Sequence, residues 1–393
     1  MLTFSGGTIL MQFRSVVITF FAAALALQAV AEDRFAAELS EVEAIRGRKF
    51  SAEVKHETLP RTKLREFLRA QIDRDLPMET EAYLDALKAV FLIGPDVTME
   101  PLLDLYDSQV LAFYDPATHV YYSLDAPPKN SPMPPQMVKA IEIHELTHAL
   151  QDQEFDAGRK TIAIQPNWDA ALAYQSVLEG EATLVMLAEL AKGMGIDVSA
   201  MVAQEGMIQA LRDAAARGDT IPSGIPPYFV DSLQFPYIDG LSFVLEMFKS
   251  GGWKALDAVH ANPPVSTEEI LRPALYRERV ASGARPPAPS LKSGNGDVVT
   301  VLGEFHWRFL LGEKAGAGWG SDRVEIRLGD RGATVLVDTT WDSPDDAGEF
   351  AAALAPLLDR KKAQNVRVEM SGTRVLAGWG VDAKAIAGFV RKK

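Results

Sequence analysis

Residues His144-Glu145-Leu146-Thr147-His148 spell H-E-x-x-H, inside a stretch, roughly 136–155, whose pattern reads as a helix. Positions four apart share one face of a helix, so both imidazoles can point at a single metal ion. The carboxylate between them can then reach a water on that ion. The chain holds only six histidines, so two at ligand spacing around a glutamate make a specific arrangement. It holds no cysteine, which removes thiolate ligands and thiol nucleophiles. A metal site here must be built from nitrogen and oxygen.

The N-terminus reads as an export signal. From Met11 a basic start leads into an apolar run, Ser15 to Leu27, and then Ala29-Val30-Ala31 before Glu32-Asp33-Arg34. That is a signal peptide over 1–31 with an A-x-A cleavage site. The run falls short of the roughly 20 residues that a spanning helix needs, so no stable membrane insertion is expected after cleavage. The expected location is periplasmic or secreted, where a domain of this size does not require disulfides. A net charge of -13 argues against nucleic acid or an anionic membrane as partner.

At 393 residues the chain has room for two domains. Residues 32–108 read as an N-terminal helical region, with one face at Leu64, Phe67, Leu68 and Ile72 and another at Tyr83, Leu84, Leu87, Val90 and Phe91. Two β-rich runs, 109–114 and 119–124, flank an Asp-Pro turn and predict a hairpin. A Pro-rich loop then enters the H-E-x-x-H helix. Further helices are expected over 168–192, 198–217 and 238–249, with Ser266-Thr267-Glu268-Glu269 as a capped helix start. Residues 283–297 have linker composition. Beyond them, strand and helix patterns alternate as ββαββα, a small α+β domain over 298–393. The expected fold class is α+β, mostly helical.

A catalytic zinc takes three protein ligands and keeps one position open. Gly at 151 and His at 154 would supply the third ligand as in astacins and matrixins, but the chain has Gln151 and Glu154. A glutamate on a following helix is the remaining common solution. Glu179 and Glu181 both qualify; they lie two residues apart and point about 200° apart on a helix, so only one can face the metal. Glu181 shares its face with Tyr174, Val177, Leu178 and Leu184, company in which a carboxylate needs a partner. Glu179 shares its face with Gln175, Ala182 and Thr183. Periodicity does not choose between them.

Glu179-Gly180-Glu181-Ala182 resembles the E-G-x-A that follows H-E-x-x-H in gluzincin metallopeptidases, where the first glutamate is the third ligand. The resemblance covers roughly residues 100–250 and implies a gluzincin-like domain over 109–282, with an edge strand before the active-site helix. It assigns the metal to His144, His148 and Glu179, with one zinc per chain, and implies that Gly180 lets two helices approach closely. Pro264-Val265-Ser266-Thr267-Glu268 and Gly318-Trp319-Gly320-Ser321-Asp322-Arg323 are similar to a little-studied secreted bacterial and archaeal family of that clan.

The function expected is peptide-bond hydrolysis on a peptide or protein substrate through a zinc-activated water, with Glu145 as general base. Tyr237 is the expected second donor to the developing oxyanion, with His260 as the other candidate. Val110 to Tyr114 or Val120 to Leu124 would be the edge strand that pairs with an extended peptide. Asp152 and Glu154 read as solvated helix-end charges, or Asp152 as a group that orients a ligand histidine. His56, His119 and His306 read as surface or core histidines. The competing expectation is a non-catalytic, zinc-stabilised binding or assembly module, for which Glu145 would have no use.

Overall fold

A computed structural model describes residues 31–76, 78–126, 134–204, 206–216, 224–284 and 297–391. The signal peptide over 1–31, apart from Ala31, and most of the linker over 283–297 lie outside the described residues. The fold is α+β and mostly helical, with two small sheets. No described helix is long and apolar enough to cross a membrane.

Helix α1 (Ala31–Arg46) leads to strand β1 (Lys55–Leu59). Three helices, Arg61–Asp75, Thr80–Ala89 and Glu100–Gln109, precede β2 (Ala112–Asp115) and β3 (Val120–Leu124). β2 and β3 form the expected hairpin, with Tyr114 opposite Tyr121. β1 adds a third strand, parallel to β3. The order is β1-β3-β2, so β3 is the central strand and Val120 to Leu124 is not an edge. Sequence patterning misses β1 because Lys-His-Glu-Thr-Leu is polar up to its last residue and almost wholly exposed.

Helix α2 (Pro135–Phe155) carries H-E-x-x-H and helix α3 (Trp168–Gly193) carries both candidate glutamates. Ile143, Leu146, Ala149 and Leu150 of α2 are buried in a small core with Val42, Val54, Ala112, Tyr114 and Tyr121. The sheet and α1 therefore hold one face of α2, and the histidines turn toward α3. The expected helix over 198–217 is two, Val198–Val202 and Met207–Ala216, with Gly206 at φ 80° between them. After the helix Pro227–Phe235, one π-helical turn (Pro236–Gly240) runs straight into α4 (Leu241–Ala261). The expected helix over 238–249 stops short of this. Gly251 and Gly252 interrupt the pattern, and Gly252 at φ 62° kinks α4, which continues to His260.

Beyond the linker, β4 (Val298–Thr300) and a helix (Gly303–Leu311) come first. The predicted ββαββα order follows: β5 (Trp319–Arg327), β6 (Thr334–Trp341), α5 (Pro344–Arg360), β7 (Arg367–Ser371), β8 (Arg374–Gly380) and α6 (Ala383–Val390). The strands form one antiparallel sheet, β4-β5-β6-β8-β7. Its core is continuous with the rest: Leu64, Trp168, Trp307 and Trp379 belong to one buried cluster. Trp379 donates its Nε1 to the Ala89 carbonyl at 3.0 Å.

The two sequence words at 264–268 and 318–323 meet at this junction. Thr267 donates both its backbone N–H, at 3.0 Å, and its hydroxyl to Asp169 at the start of α3. Asp322 accepts from Leu302 N, Gly303 N, Trp307 Nε1 and Trp319 Nε1. Four donors on one buried carboxylate tie the sheet to the loop beside it. These words therefore have a packing role.

Candidate metal centre

α2 and α3 bring His144, His148 and Glu179 together. His144 Nε2 lies 3.1 Å from Glu179 Oε2 and 3.2 Å from His148 Nε2. The third side, His148 Nε2 to Glu179 Oε2, is 3.4 Å. Ligands about 2.0–2.1 Å from a tetrahedral zinc stand about 3.3 Å from one another, so this triangle has the edges that such an ion needs. Among the described residues it is the one group of three or more such side chains with metal-holding geometry. The donor set, two imidazoles and one carboxylate, suits zinc.

Electrostatics at the triangle point the same way. Burial works against charge on Glu179, yet the two imidazoles hold its carboxyl well below the usual carboxylate range. Burial would lower His148, but Glu179 and Glu145 raise it to about 9. The carboxylate thus calls for positive charge between the rings, which a proton or a divalent cation can supply.

Glu145 stands beside the triangle. Burial raises its pKa, and the neighbouring imidazoles pull it down again. The backbone N–H of Tyr114 adds a further, smaller lowering; Tyr114 belongs to β2, the sheet edge nearest α2. The edge strand expected from sequence is therefore β2 alone. Tyr237 sits in the π-helical turn with its ring stacked over His144, centroids 5.9 Å apart and planes 19° apart. Burial, with the nearby Glu179 and Glu145 carboxylates, holds the Tyr237 hydroxyl protonated well above the ordinary range. Tyr237 is a donor at the edge of the triangle. Tyr106 lies near it, raised by burial and then by the Glu179 charge; nothing in its sequence surroundings marks it.

Gly180 does promote a close approach, but not between α2 and α3. A Cβ there would fall 2.6 Å from the Gly240 backbone, and one on Gly240 would fall 2.3 Å from the Ser176 carbonyl. The two glycines let α3 and the π-helical turn meet backbone to backbone, and this contact sets Tyr237 over His144. Gly180→Ala is expected to force the turn outward and to cost about 1–3 kcal/mol, the usual effect of overpacking. Urea unfolding measures it; an unchanged midpoint would mean that the contact has slack.

The remaining sequence candidates fall elsewhere. Glu181 is wholly buried and pairs with Arg46 and His260. Arg46, at the end of α1, also reaches Asp257 at 2.6 Å. His260 stacks on Phe155, centroids 4.1 Å apart, and its ring bonds Glu181, so it is no oxyanion donor at the triangle. Asp152 is buried rather than solvated and orients no ligand histidine. It accepts from Tyr114 Oη and Gly158 N, both at 2.9 Å, and contacts His119 Nδ1 at 2.9 Å. It pins the hairpin to α2. Glu154 is the half-exposed partner of Arg48. His56 bonds Ser123 on the surface, and His306 is buried against Leu302 and Tyr228.

The family described as a domain of unknown function (DUF8575) matches residues 293–391, the C-terminal sheet and its helices. A solved structure from Chloroflexus aurantiacus, described as a "putative hydrolase with a novel fold", is similar to this chain at 18% identity and a TM-score of 0.40, covering 69% of this chain and 98% of that one. No curated protein matches the chain.

Proposed function

We propose that the protein is an exported zinc-dependent metallopeptidase of gluzincin type, with His144, His148 and Glu179 as ligands and Glu145 as general base. The observation that carries this is the 3.1, 3.2 and 3.4 Å triangle with a half-buried carboxylate beside it that belongs to none of its corners. A structural metal site needs no such fourth group. A bound zinc supplies Lewis acidity and a water whose pKa falls to about 7. Glu145 takes the proton of the attacking water and returns it to the leaving amine. The Tyr114 backbone N–H favours the ionised form of that carboxyl. Tyr237 offers its phenolic proton to the oxygen on which charge develops. β2, with its free edge turned toward Glu145, suits an extended peptide that binds by main-chain hydrogen bonds.

The test uses the chain trimmed after Ala31. It is expected to hold one zinc and to cleave denatured proteins or a peptide library. A chelator should abolish cleavage and added zinc should restore it. Cleavage that persists in metal-free protein would overturn the proposal.

A further inference from the structure

We infer that Gln151 and Glu181 form a buried device that fixes the tautomer of His148 and so presents its Nε2 lone pair to the metal; the inference rests on the zinc reading above. An amide side chain offers an oxygen and a nitrogen of nearly the same shape, and only its neighbours decide which way it faces. The Gln151 nitrogen lies 3.0 Å from the Leu178 backbone carbonyl and 2.9 Å from Glu181 Oε2. A backbone carbonyl can only accept. Glu181 is ion-paired with Arg46 and so remains an acceptor too. Two obligate acceptors on one side leave the amide a single orientation.

The consequence passes to the histidine. Gln151 Oε1 lies 2.8 Å from His148 Nδ1, and an amide oxygen cannot donate. The proton of the neutral ring therefore resides on Nδ1, and Nε2 carries the lone pair at the triangle. Gln151 is 2% exposed and Glu181 0%, so bulk water does not compete for these bonds. Arg46 comes from α1, Gln151 from α2, Glu181 from α3 and His260 from α4. Four helices converge to hold one amide, and the N-terminal helix thereby becomes part of the metal centre's support.

His144 is held differently. Its Nδ1 is buried with no hydrogen-bond partner among the described residues, and its ring rests against Tyr237. Gln151 and Glu181 are positioning residues, and they act on one ligand of the three.

Gln151→Met keeps the length of the side chain and removes both hydrogen-bonding roles. The full mature variant is expected to bind zinc 10–100-fold more weakly in competition with a chromophoric chelator, the usual effect of losing a ligand's supporting partner. A folded Gln151→Met that binds zinc as tightly as wild type overturns the inference. Nitrogen-15 imidazole spectra of zinc-loaded wild type give a second test that does not depend on the variant folding. They should place the His148 proton on Nδ1 and the metal on Nε2; the reverse overturns the inference. If wild type itself holds no zinc, the zinc reading fails and takes this inference with it, and that outcome is distinct because the unsubstituted protein is the one that fails.

Discussion

Glu145→Gln is expected to lower peptide hydrolysis by about 10²–10⁴-fold, the range for loss of a positioned general base, while zinc content stays at one per chain. The side chains that form the triangle are His144, His148 and Glu179, so an amide at 145 removes proton transfer and leaves the metal donors intact. Shape is preserved as well, because an amide has nearly the outline of a carboxylate and keeps an oxygen that can accept. The loss should appear in kcat more than in KM, since Glu145 acts on the reacting proton and not on remote parts of the substrate. Burial already raises the Glu145 pKa from its ordinary value, against the pull of the two imidazoles. Metal analysis and steady-state kinetics on the same preparation decide the matter. Turnover at the wild-type rate would remove Glu145 from the chemistry and leave the non-catalytic module as the better account.

The part of the fold that was legible in sequence is the part governed by local periodicity. The spacing within α2 puts His144 and His148 on one face, and the alternation from residue 323 onward gives the ββαββα order, because each depends on residues a few positions apart. Two kinds of feature escaped. β1 pairs with β3 across some sixty residues and carries no apolar alternation, since both its faces are exposed. The C-terminal half of α4 was hidden by Gly251-Gly252, which looks like a helix end but is a kink held by packing on both sides. Both were decided by tertiary contacts, which override local preference.

The candidate site divides along the same line. Glu145 and the two histidines stand out in sequence because the chemistry itself fixes their spacing. Glu181 was recognisable as a carboxylate in need of a partner, but the partners, Arg46 and His260, lie 135 and 79 residues away. In sequence, Gln151 shows only the absence of the glycine that another class of enzyme has there. Its contacts with His148, Leu178 and Glu181 exist only once α2 and α3 have packed. The same holds for Asp152, whose solvated appearance in a helical pattern gave way to a buried bond with Tyr114.

Glu179→Ala and Glu181→Ala, two residues apart on one helix, are expected to fail in opposite ways. Glu179→Ala removes a corner of the triangle. Zinc affinity should fall by more than about 100-fold, beyond the effect of losing a supporting group. The zinc-free protein should lose less stability than Glu181→Ala does, because His148, which Glu179 and Glu145 raise to about 9, can give up its proton once the carboxylate is gone, whereas a buried guanidinium cannot. Glu181→Ala instead strips the carboxylate from Arg46 and His260, whose side chains are 2% and 0% exposed. A buried charge left without its partner costs about 3–5 kcal/mol. Arg46 keeps Asp257 at 2.6 Å, which places the expected loss at about 3 kcal/mol, the lower end of that range. Zinc binding in this variant should weaken by no more than about 100-fold, through Gln151 alone. Urea titration of zinc-free protein and chelator competition on each variant separate the two effects. Loss of zinc from Glu181→Ala together with retention by Glu179→Ala would exchange the roles of the two carboxylates and move the metal to the other face of α3.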